Sequence, residues 1–390
     1  MTMRVIFARE PFPETTRASI FLAGPTPRSK DVRSWRPEAL EILERLKFEG
    51  DVYFPEDRSG ACEMNPETYS PQIEWEAIGL NRADSIVFWV PRNLETFPAF
   101  TTNVEWGVWG NSGKTVFGAP REAPKNSYLL HQAKKNGVPQ FETLEETLKN
   151  AVQGLGMGSE RKGGECEIPL HIWRTESFQA WLKSQKQAGN RLDGARVLWT
   201  FRVGANRANV FMWVVHARVW IESEKRHKTN EVVLSRTDIS SVMLWKKQPN
   251  LLDSEIILVR EFRSPARTPD GFIHELPGGS TFKQGVAPEK VAEEEINEET
   301  GFHFEPSRLK YFGSRQLAGT LSAHHGHLYS LRLTNRELAW FKKRAKTNEA
   351  LGNANDSERT YVEIQRLRDV LSQRLVDWST LGMILQIISQ

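Results

Sequence analysis

Five glutamates fall within seven residues at 293–299, inside the segment ELPGGSTFKQGVAPEKVAEEEINEETGF that runs from Glu275 to Phe302. Carboxylates three and four apart on a helix repel one another, and near a helix C-terminus they face the negative end of its dipole. Pro288 suits the first turn of a helix and Gly301 the position just past its end, so the spacing predicts a short helix charged at the wrong end. Glu295, Glu298 and Glu299 share one face of it. A divalent cation held by carboxylate oxygens would reverse that repulsion. Mg2+ is the usual hard cation for phosphate chemistry, with Mn2+ as the alternative. The competing expectation is a solvated acidic helix face.

A second glutamate worth weighing is Glu105 in TTNVEWG. Thr102-Asn103-Val104-Glu105 has the spacing of a capping box, in which the glutamate only bonds the N-cap amide. The elements around it are more suggestive. SIFLA, DVYFP, SIVFWV and KTVFGA read as short buried strands separated by helical stretches such as WRPEALEILERLKF. That alternation predicts an α/β domain with a doubly wound, mainly parallel sheet of flavodoxin or Rossmann type, joined by right-handed crossovers. Ligands of such sheets bind beyond the carboxyl ends of the strands, which directs attention to the loops after Ala23, after Val90 and before Glu105.

Composition bounds the rest. A chain of 390 residues is too long for one ordinary core, and 39% hydrophobic with 26% charged residues is normal for a globular protein. A net charge of +3 is too weak to draw nucleic acid by bulk attraction. Cys62 and Cys166, far apart in sequence, speak for a reducing compartment without a disulfide framework. No apolar run approaches membrane-spanning length, and MTMRVIFAREPFPETTR breaks too early for a leader, so a cytoplasmic protein without membrane partners is expected. Glycine and charge interrupt the hydrophobic pattern in QGLGMGSERKGGECE. The expected organisation is therefore a first domain over 1–152, a linker over 153–167 and a second domain over 168–390.

The glutamate segment resembles a Nudix box, G-x5-E-x7-R-E-U-x-E-E-x-G-U with U apolar. Ile296 and Phe302 stand at the two U positions, and Glu295, Glu298, Glu299 and Gly301 at the others of the second half. The resemblance implies that Glu295, Glu298 and Glu299 bind the catalytic metal, with Glu295 and Glu299 in the catalytic machinery. The first half departs: the loop after Gly279 is one residue longer, Val286 replaces a glutamate and Glu294 an arginine. The approach EIILVREFRSPARTPDGFIHELPGG resembles that of Nudix enzymes acting on ADP-ribose-like diphosphates. It offers Arg260 and Arg263 as diphosphate contacts, or as partners of Glu261 and Glu275 in surface ion pairs. His324, His325 and His327 stand where that subfamily offers a further acidic residue, as a base, a metal ligand or simply structural groups. The resemblance covers roughly 195–390 and implies a Nudix α/β/α sandwich.

IFLAGPTPRS, IEWEAIGLNRADSIVFWVPR and TTNVEWGVWGNSGKTVFGAP resemble the nucleoside 2-deoxyribosyltransferase superfamily over roughly 15–140. That family exchanges or hydrolyses an N-glycosidic bond with retention, through a glutamate that attacks the anomeric carbon. The resemblance places Glu105 at the nucleophile position and Glu76, eight residues before Asp84, where the leaving base is handled. Asp84 itself reads as a strand-leading residue. Gly24 and Arg28, with Thr26 and Ser29, sit in the loop that would meet a sugar or 5'-phosphate, and Asn103 takes part of the role of an absent aspartate. Trp75 and Trp106 are candidates for base stacking or for packing. The expected protein is a two-domain enzyme on nucleosides or nucleotides; deoxyribosyltransferase relatives often complete each site with a neighbouring subunit, so the resemblance leaves a homo-oligomer open. The alternative is a sensor whose altered box binds a nucleotide without turnover.

Overall fold

The structure, a computed structural model, describes residues 2–29, 31–58, 66–281, 283, 285–352 and 358–390, without the side chains of 66–69. Cys62, on which part of the compartment argument rested, lies outside them. The chain divides into two compact units, 1–235 and 236–390.

The four central strands of the first unit's main sheet are short, mostly apolar and buried throughout because both of their faces are covered. Six strands, all parallel, lie in the order Arg4–Phe7, Asp51–Phe54, Ser19–Ala23, Ser85–Trp89, Thr115–Gly118, Gln140–Phe141. Alternation sends Ile20, Leu22, Val87 and Trp89 into one core, against the helices Arg36–Arg45 and Leu144–Leu155. Phe21, Ala23, Ile86 and Phe88 enter the other, against Pro66–Arg82, Phe100–Trp109 and Ser127–Asn136. The doubly wound arrangement expected from the sequence is therefore present, with an additional edge strand at Arg4–Phe7. From Ser19–Ala23 the chain adds one strand on one side and then crosses to the other, so the switch point lies between Ser19–Ala23 and Ser85–Trp89.

The division between the units corrects the expected linker and second-domain start. Arg161–Lys162 pairs as a strand with Thr15–Thr16, and the Arg161 guanidinium is fully buried against Asp84 at 2.7 and 2.5 Å. Beyond it, Ile168, Leu170, Phe178 and Leu182 join the first unit's core. The strands Arg191–Val203 and Asn209–Ile221 bring Leu192, Trp213 and Val215 into that same core, with Arg226–Arg236 as the third strand of their sheet. A glycine-rich polar stretch reads as a linker only while its buried ion-pair partner, far away in sequence, is unseen.

The second unit is a mixed seven-stranded sheet. Ile239–Lys246 pairs in parallel with His325–Arg332 and antiparallel with Glu255–Phe262, which in turn pairs with Thr360–Arg366. Val242, Leu244 and Ile257 face the helices Pro288–Thr300 and Asn335–Thr347, while Met243, Trp245, Ile256 and Leu258 face Leu367–Gln373 and Trp378–Ile388. Helices thus cover both faces of the sheet. Among the described residues no helix is long and apolar enough to cross a membrane.

Candidate functional site

At the switch point the turn after Ser19–Ala23 is shaped by Gly24. Its φ is +152°, and an added Cβ would lie 2.2 Å from the Trp89 carbonyl oxygen, so only glycine fits here. Gly24 therefore brings two strand ends close together. Its carbonyl accepts from buried Arg36 at 2.6 Å, and Arg36 also donates to the Leu22 carbonyl at 3.0 Å, to Thr26 Oγ1 at 3.1 Å and to Glu56. Ser34 Oγ donates to the same Glu56 carboxylate at 2.7 Å. Arg36 is the cationic centre of this end of the sheet, held at the start of the helix Arg36–Arg45.

Two half-buried carboxylates share its field. Glu76, on the helix Pro66–Arg82, accepts from Gln72 Nε2 at 2.6 Å. Burial raises its carboxyl above the usual range, opposed by the Gln72 hydrogen bond and by Arg36. Glu105 is pushed up to about 8, first by burial and then by the negative charge of Glu76, with Arg36 opposing. At about 8, Glu105 keeps its proton near neutral pH, while the Gln72 bond and Arg36 favour the charged form of Glu76. An acid and nucleophile pair needs that single proton on Glu76 instead, so the reaction requires its transfer from Glu105.

The helix carrying Glu105 begins earlier than a capping box would require. It spans Phe100–Trp109, its N-cap is Ala99 with no side-chain cap bond, and Thr102 lies buried inside it. Glu105 is therefore not a cap. The helix start is fixed by Arg92, which is buried and donates to the Pro98 carbonyl at 2.9 Å, Asn126 Oδ1 at 3.0 Å and Asn103 Oδ1 at 2.7 Å. Asn103 thus belongs to a clamp that positions the Glu105 helix. Arg28 is exposed, with its guanidinium 5.5 Å from the Phe100 ring centroid. Trp75 and Trp106 are packing residues: Trp75 stacks on Phe12 and donates to the Glu10 carbonyl at 2.8 Å, while Trp106 meets Phe88 and Phe117 edge-on. Arg36, Glu56 and Arg92 are site residues that the sequence did not reveal.

Asp84 leads the strand Ser85–Trp89 at the opposite, amino end of the sheet. Its oxygens accept from Arg161, from Ser19 N at 2.9 Å and Oγ at 3.1 Å, and from Leu170 N at 2.9 Å, so it is a structural staple.

In the second unit the glutamate helix spans Pro288–Thr300, with Pro288 in its first turn and Gly301 closing it at φ +70°. Its face is reorganised relative to the three expected ligands. Glu298 is exposed, whereas buried Glu299 meets Glu261 and Glu358, each offering an oxygen within 4.8 Å of the others. Glu299 also accepts from Gly278 N at 2.8 Å. Burial lifts its carboxyl well above the usual range, helped by Glu275, Glu295 and Glu358 and opposed by the Gly278 amide. Glu295 is raised to about 7 by burial and by Glu298, Glu358 and Glu294, with Arg236 opposing. Glu261 reaches about 7, chiefly by burial. Glu261 and Glu358 were not among the sequence candidates. The pairing of Glu261 with Thr360 across two strands brings Glu358 to this end of the sheet.

Arg263 is held by Glu275 at 3.0 Å and lies 2.8 Å from Glu261, the ion-pair alternative. Arg260 pairs with Glu363 at 2.9 Å and lies over the rings of Phe272 and Tyr361. The histidines are partnered too: His324 with Ser322, His325 with Ser314, and His327 with Asp238 and Tyr311.

Residues 17–123 match the family model described as nucleoside 2-deoxyribosyltransferase like, a stretch containing Gly24, Arg36, Glu56, Glu76, Arg92 and Glu105. No curated protein matches the chain.

Proposed function

We propose that the first unit cleaves or exchanges the N-glycosidic bond of a nucleoside or nucleotide, with Glu105 as nucleophile and Glu76 as proton carrier. The observation that supports this most is that Glu105 and Glu76 lie within electrostatic reach of Arg36, and Glu105 within reach of Glu76, inside the matched region. The Glu105 carboxylate attacks the anomeric carbon, the bond to the base breaks, and its electron pair leaves with the base. Glu76 gives the departing nitrogen its proton. Water or a second base then attacks the same carbon, returning a proton to Glu76 and freeing Glu105. Gly24 and Arg28 border the sugar or 5'-phosphate, and Asn103 holds the helix in register.

The reactive state carries one proton on the pair, which sets the pH profile. kcat/KM should rise as the lower-titrating carboxyl of the pair ionises and fall as the last proton leaves near pH 8. A profile that climbs steadily through pH 8 to 10 would show that Glu76 does not serve as the acid. The same titration marks stability. The folded Glu105 carboxyl binds its proton more tightly than the unfolded chain does, so stability is lost as pH rises from about 4.5 to about 8. Glu105→Gln should therefore melt higher than the parent at pH 9 and nearly together with it at pH 5. Equal melting at pH 9 would place Glu105 in water.

For the second unit we propose Nudix-type hydrolysis of a nucleoside diphosphate derivative of ADP-ribose type. Glu299, Glu261 and Glu358 form a hard oxygen donor set whose mutual repulsion a divalent cation would relieve, with Glu295 beside it. Bound there, Mg2+ or Mn2+ would supply polarisation of a diphosphate oxygen. In this reading Glu295 takes the proton of the attacking water, and Arg260, in the strand that carries Glu261, and Arg263, just after it, contact the diphosphate. Calorimetric titration of the full chain with MgCl2 should show binding that Glu299→Gln weakens by about ten-fold or more. Binding unchanged by that substitution would remove the assignment. Mg2+ binding without cleavage of ADP-ribose would favour the sensor reading, since Val286 and Glu294 depart from the box.

The Glu105 helix exposes Phe100, Val104 and Val108, one row at 66, 68 and 67% exposure. A homo-oligomer formed through this row would cover it. Sedimentation should then give a dimer or higher species that Val104→Glu dissociates, whereas a monomeric parent would exclude it.

A further inference from the structure

A second cavity opens at the amino ends of the first unit's strands, the end opposite Glu105. Its volume is about 340 Å3, and it lies beside the starts of Ser85–Trp89 and Thr115–Gly118. The charged lining is predominantly cationic: Lys114, Arg174, Arg202 and Arg207, with Asp84 the single carboxylate among the lining residues and His171 beside them. Asp84 is already occupied by Arg161 through both oxygens. Lys114 Nζ donates all three of its hydrogens to the carbonyls of Leu80, Asn81 and Ala83 at 2.7, 2.8 and 2.9 Å, and burial pushes its ammonium down to about 7, so it adds to the field of the cavity wall rather than a free donor. Among the described residues Arg174 and Arg202 bond backbone carbonyls, those of Leu155 and Asn111.

The hairpin tip that overhangs the cavity is held in an unusual conformation. Asn206 and Arg207 have φ of 51° and 54°, sparsely populated for residues with a side chain. A Cβ at Gly137 would meet the Asn206 carbonyl oxygen at 3.0 Å, so the tip sits directly on the loop before Gln140–Phe141. His171 supplies the most pointed observation. Both of its ring nitrogens are buried and neither has a hydrogen-bond partner. Buried polar atoms are nearly always satisfied, and two orphaned ring nitrogens on a cavity wall of this kind call for a polar occupant.

We propose that this cavity is a binding site for a small phosphomonoester, its phosphate group held by Arg202 and Arg207, with Arg174 on the same wall and His171 completing the hydrogen bonds. Arginine forks match phosphate oxygens in two-point contact, and a cationic pocket whose one carboxylate is already paired selects a dianion over a neutral sugar. Burial and the charges of Lys114 and Arg202 push the His171 ring down to about 3, so it meets the ligand as neutral imidazole, one nitrogen donating and one accepting. Val116, Val138, Leu170 and Val210 form the apolar part of the wall, room for a compact organic body beyond the phosphate. This site is distinct from the glycosidic site and does not depend on its assignment.

The test is isothermal titration calorimetry of the full chain with inorganic phosphate and with adenosine 5'-monophosphate. Arg202→Gln and Arg207→Gln are the diagnostic variants, and Arg191→Gln, paired with Asp193 at the surface, is the control for lost charge. Binding of either probe should weaken by about ten-fold or more in each diagnostic variant and persist in the control. Binding of the monophosphate identifies a phosphomonoester site with room for the organic body. Loss confined to inorganic phosphate narrows the ligand to the free anion and overturns the ester assignment. No heat with either probe, or heat unchanged by both diagnostic substitutions, overturns the site altogether. Arg207 is exposed at the hairpin tip, so its variant keeps the fold, and circular dichroism confirms that for Arg202→Gln.

Discussion

Replacing Glu105 by glutamine is expected to lower glycosidic turnover by about 10^4-fold or more, in kcat and kcat/KM together. Glutamine keeps the shape and removes the nucleophile, so substrate binding should change little. The loss cannot be ascribed to misfolding, because the same substitution relieves a buried carboxyl raised to about 8 and stabilises the unit at alkaline pH. Glu76→Gln should cost less, about 10^2- to 10^3-fold, with the largest effect on bases that leave poorly without a proton. It should also lower the Glu105 titration, since the Glu76 charge contributes to the upward push. Steady-state rates across a series of nucleosides, from good to poor leaving bases, separate the two roles. Similar small losses in both variants would mean that neither residue takes part in bond breaking.

The largest stability effect should come from the other end of the same sheet. Asp84 and Arg161 are fully buried and joined by two contacts of 2.7 and 2.5 Å, and Asp84 also binds Ser19 and the Leu170 amide. Removing one partner leaves an uncompensated charge in a dry interior, which typically costs about 3–5 kcal/mol. Arg161→Met, read by urea denaturation, should lose stability on that scale. The double variant Asp84→Leu/Arg161→Met should recover much of it, because apolar replacement of both ions removes the desolvation cost. A loss below about 1 kcal/mol in the single variant would mean the pair is hydrated. Since Asp84 lies at the amino ends of the strands and Glu105 beyond the carboxyl ends, turnover per folded molecule should survive.

What could be read in the chain beforehand follows the range of the interactions involved. SIFLA and SIVFW declare themselves as strands because burial on both faces demands continuous apolar runs. The glutamate helix declares its ends because Pro288 and Gly301 act locally. Glu105 and Glu76 were singled out by their motif context, and both lie in the field of Arg36. Arg161 was not: in GSERKGG it looks like a solvated linker charge, and its role depends on a partner 77 residues away. Arg36 and Glu56 were missed for a related reason, since nothing local tells a buried arginine that bonds three strand-loop oxygens from an exposed one. The carboxylate group in the second unit was half legible. Glu299 lies on the helix, but Glu261 and Glu358 reach it only through strand register, and Glu298 turns outward despite sharing the helical spacing.

The central claim is that Glu105 bonds covalently to the sugar, and intact-mass and peptide mass spectrometry of the full chain tests it most directly. Incubation with a 2'-fluoro-substituted nucleoside, whose electron-poor sugar slows release, should add the mass of that sugar to the peptide containing Glu105 and leave Glu105→Gln unmodified. An enzyme that turns over nucleosides with no adduct and with inversion at the anomeric carbon, or one labelled on another residue, would contradict it.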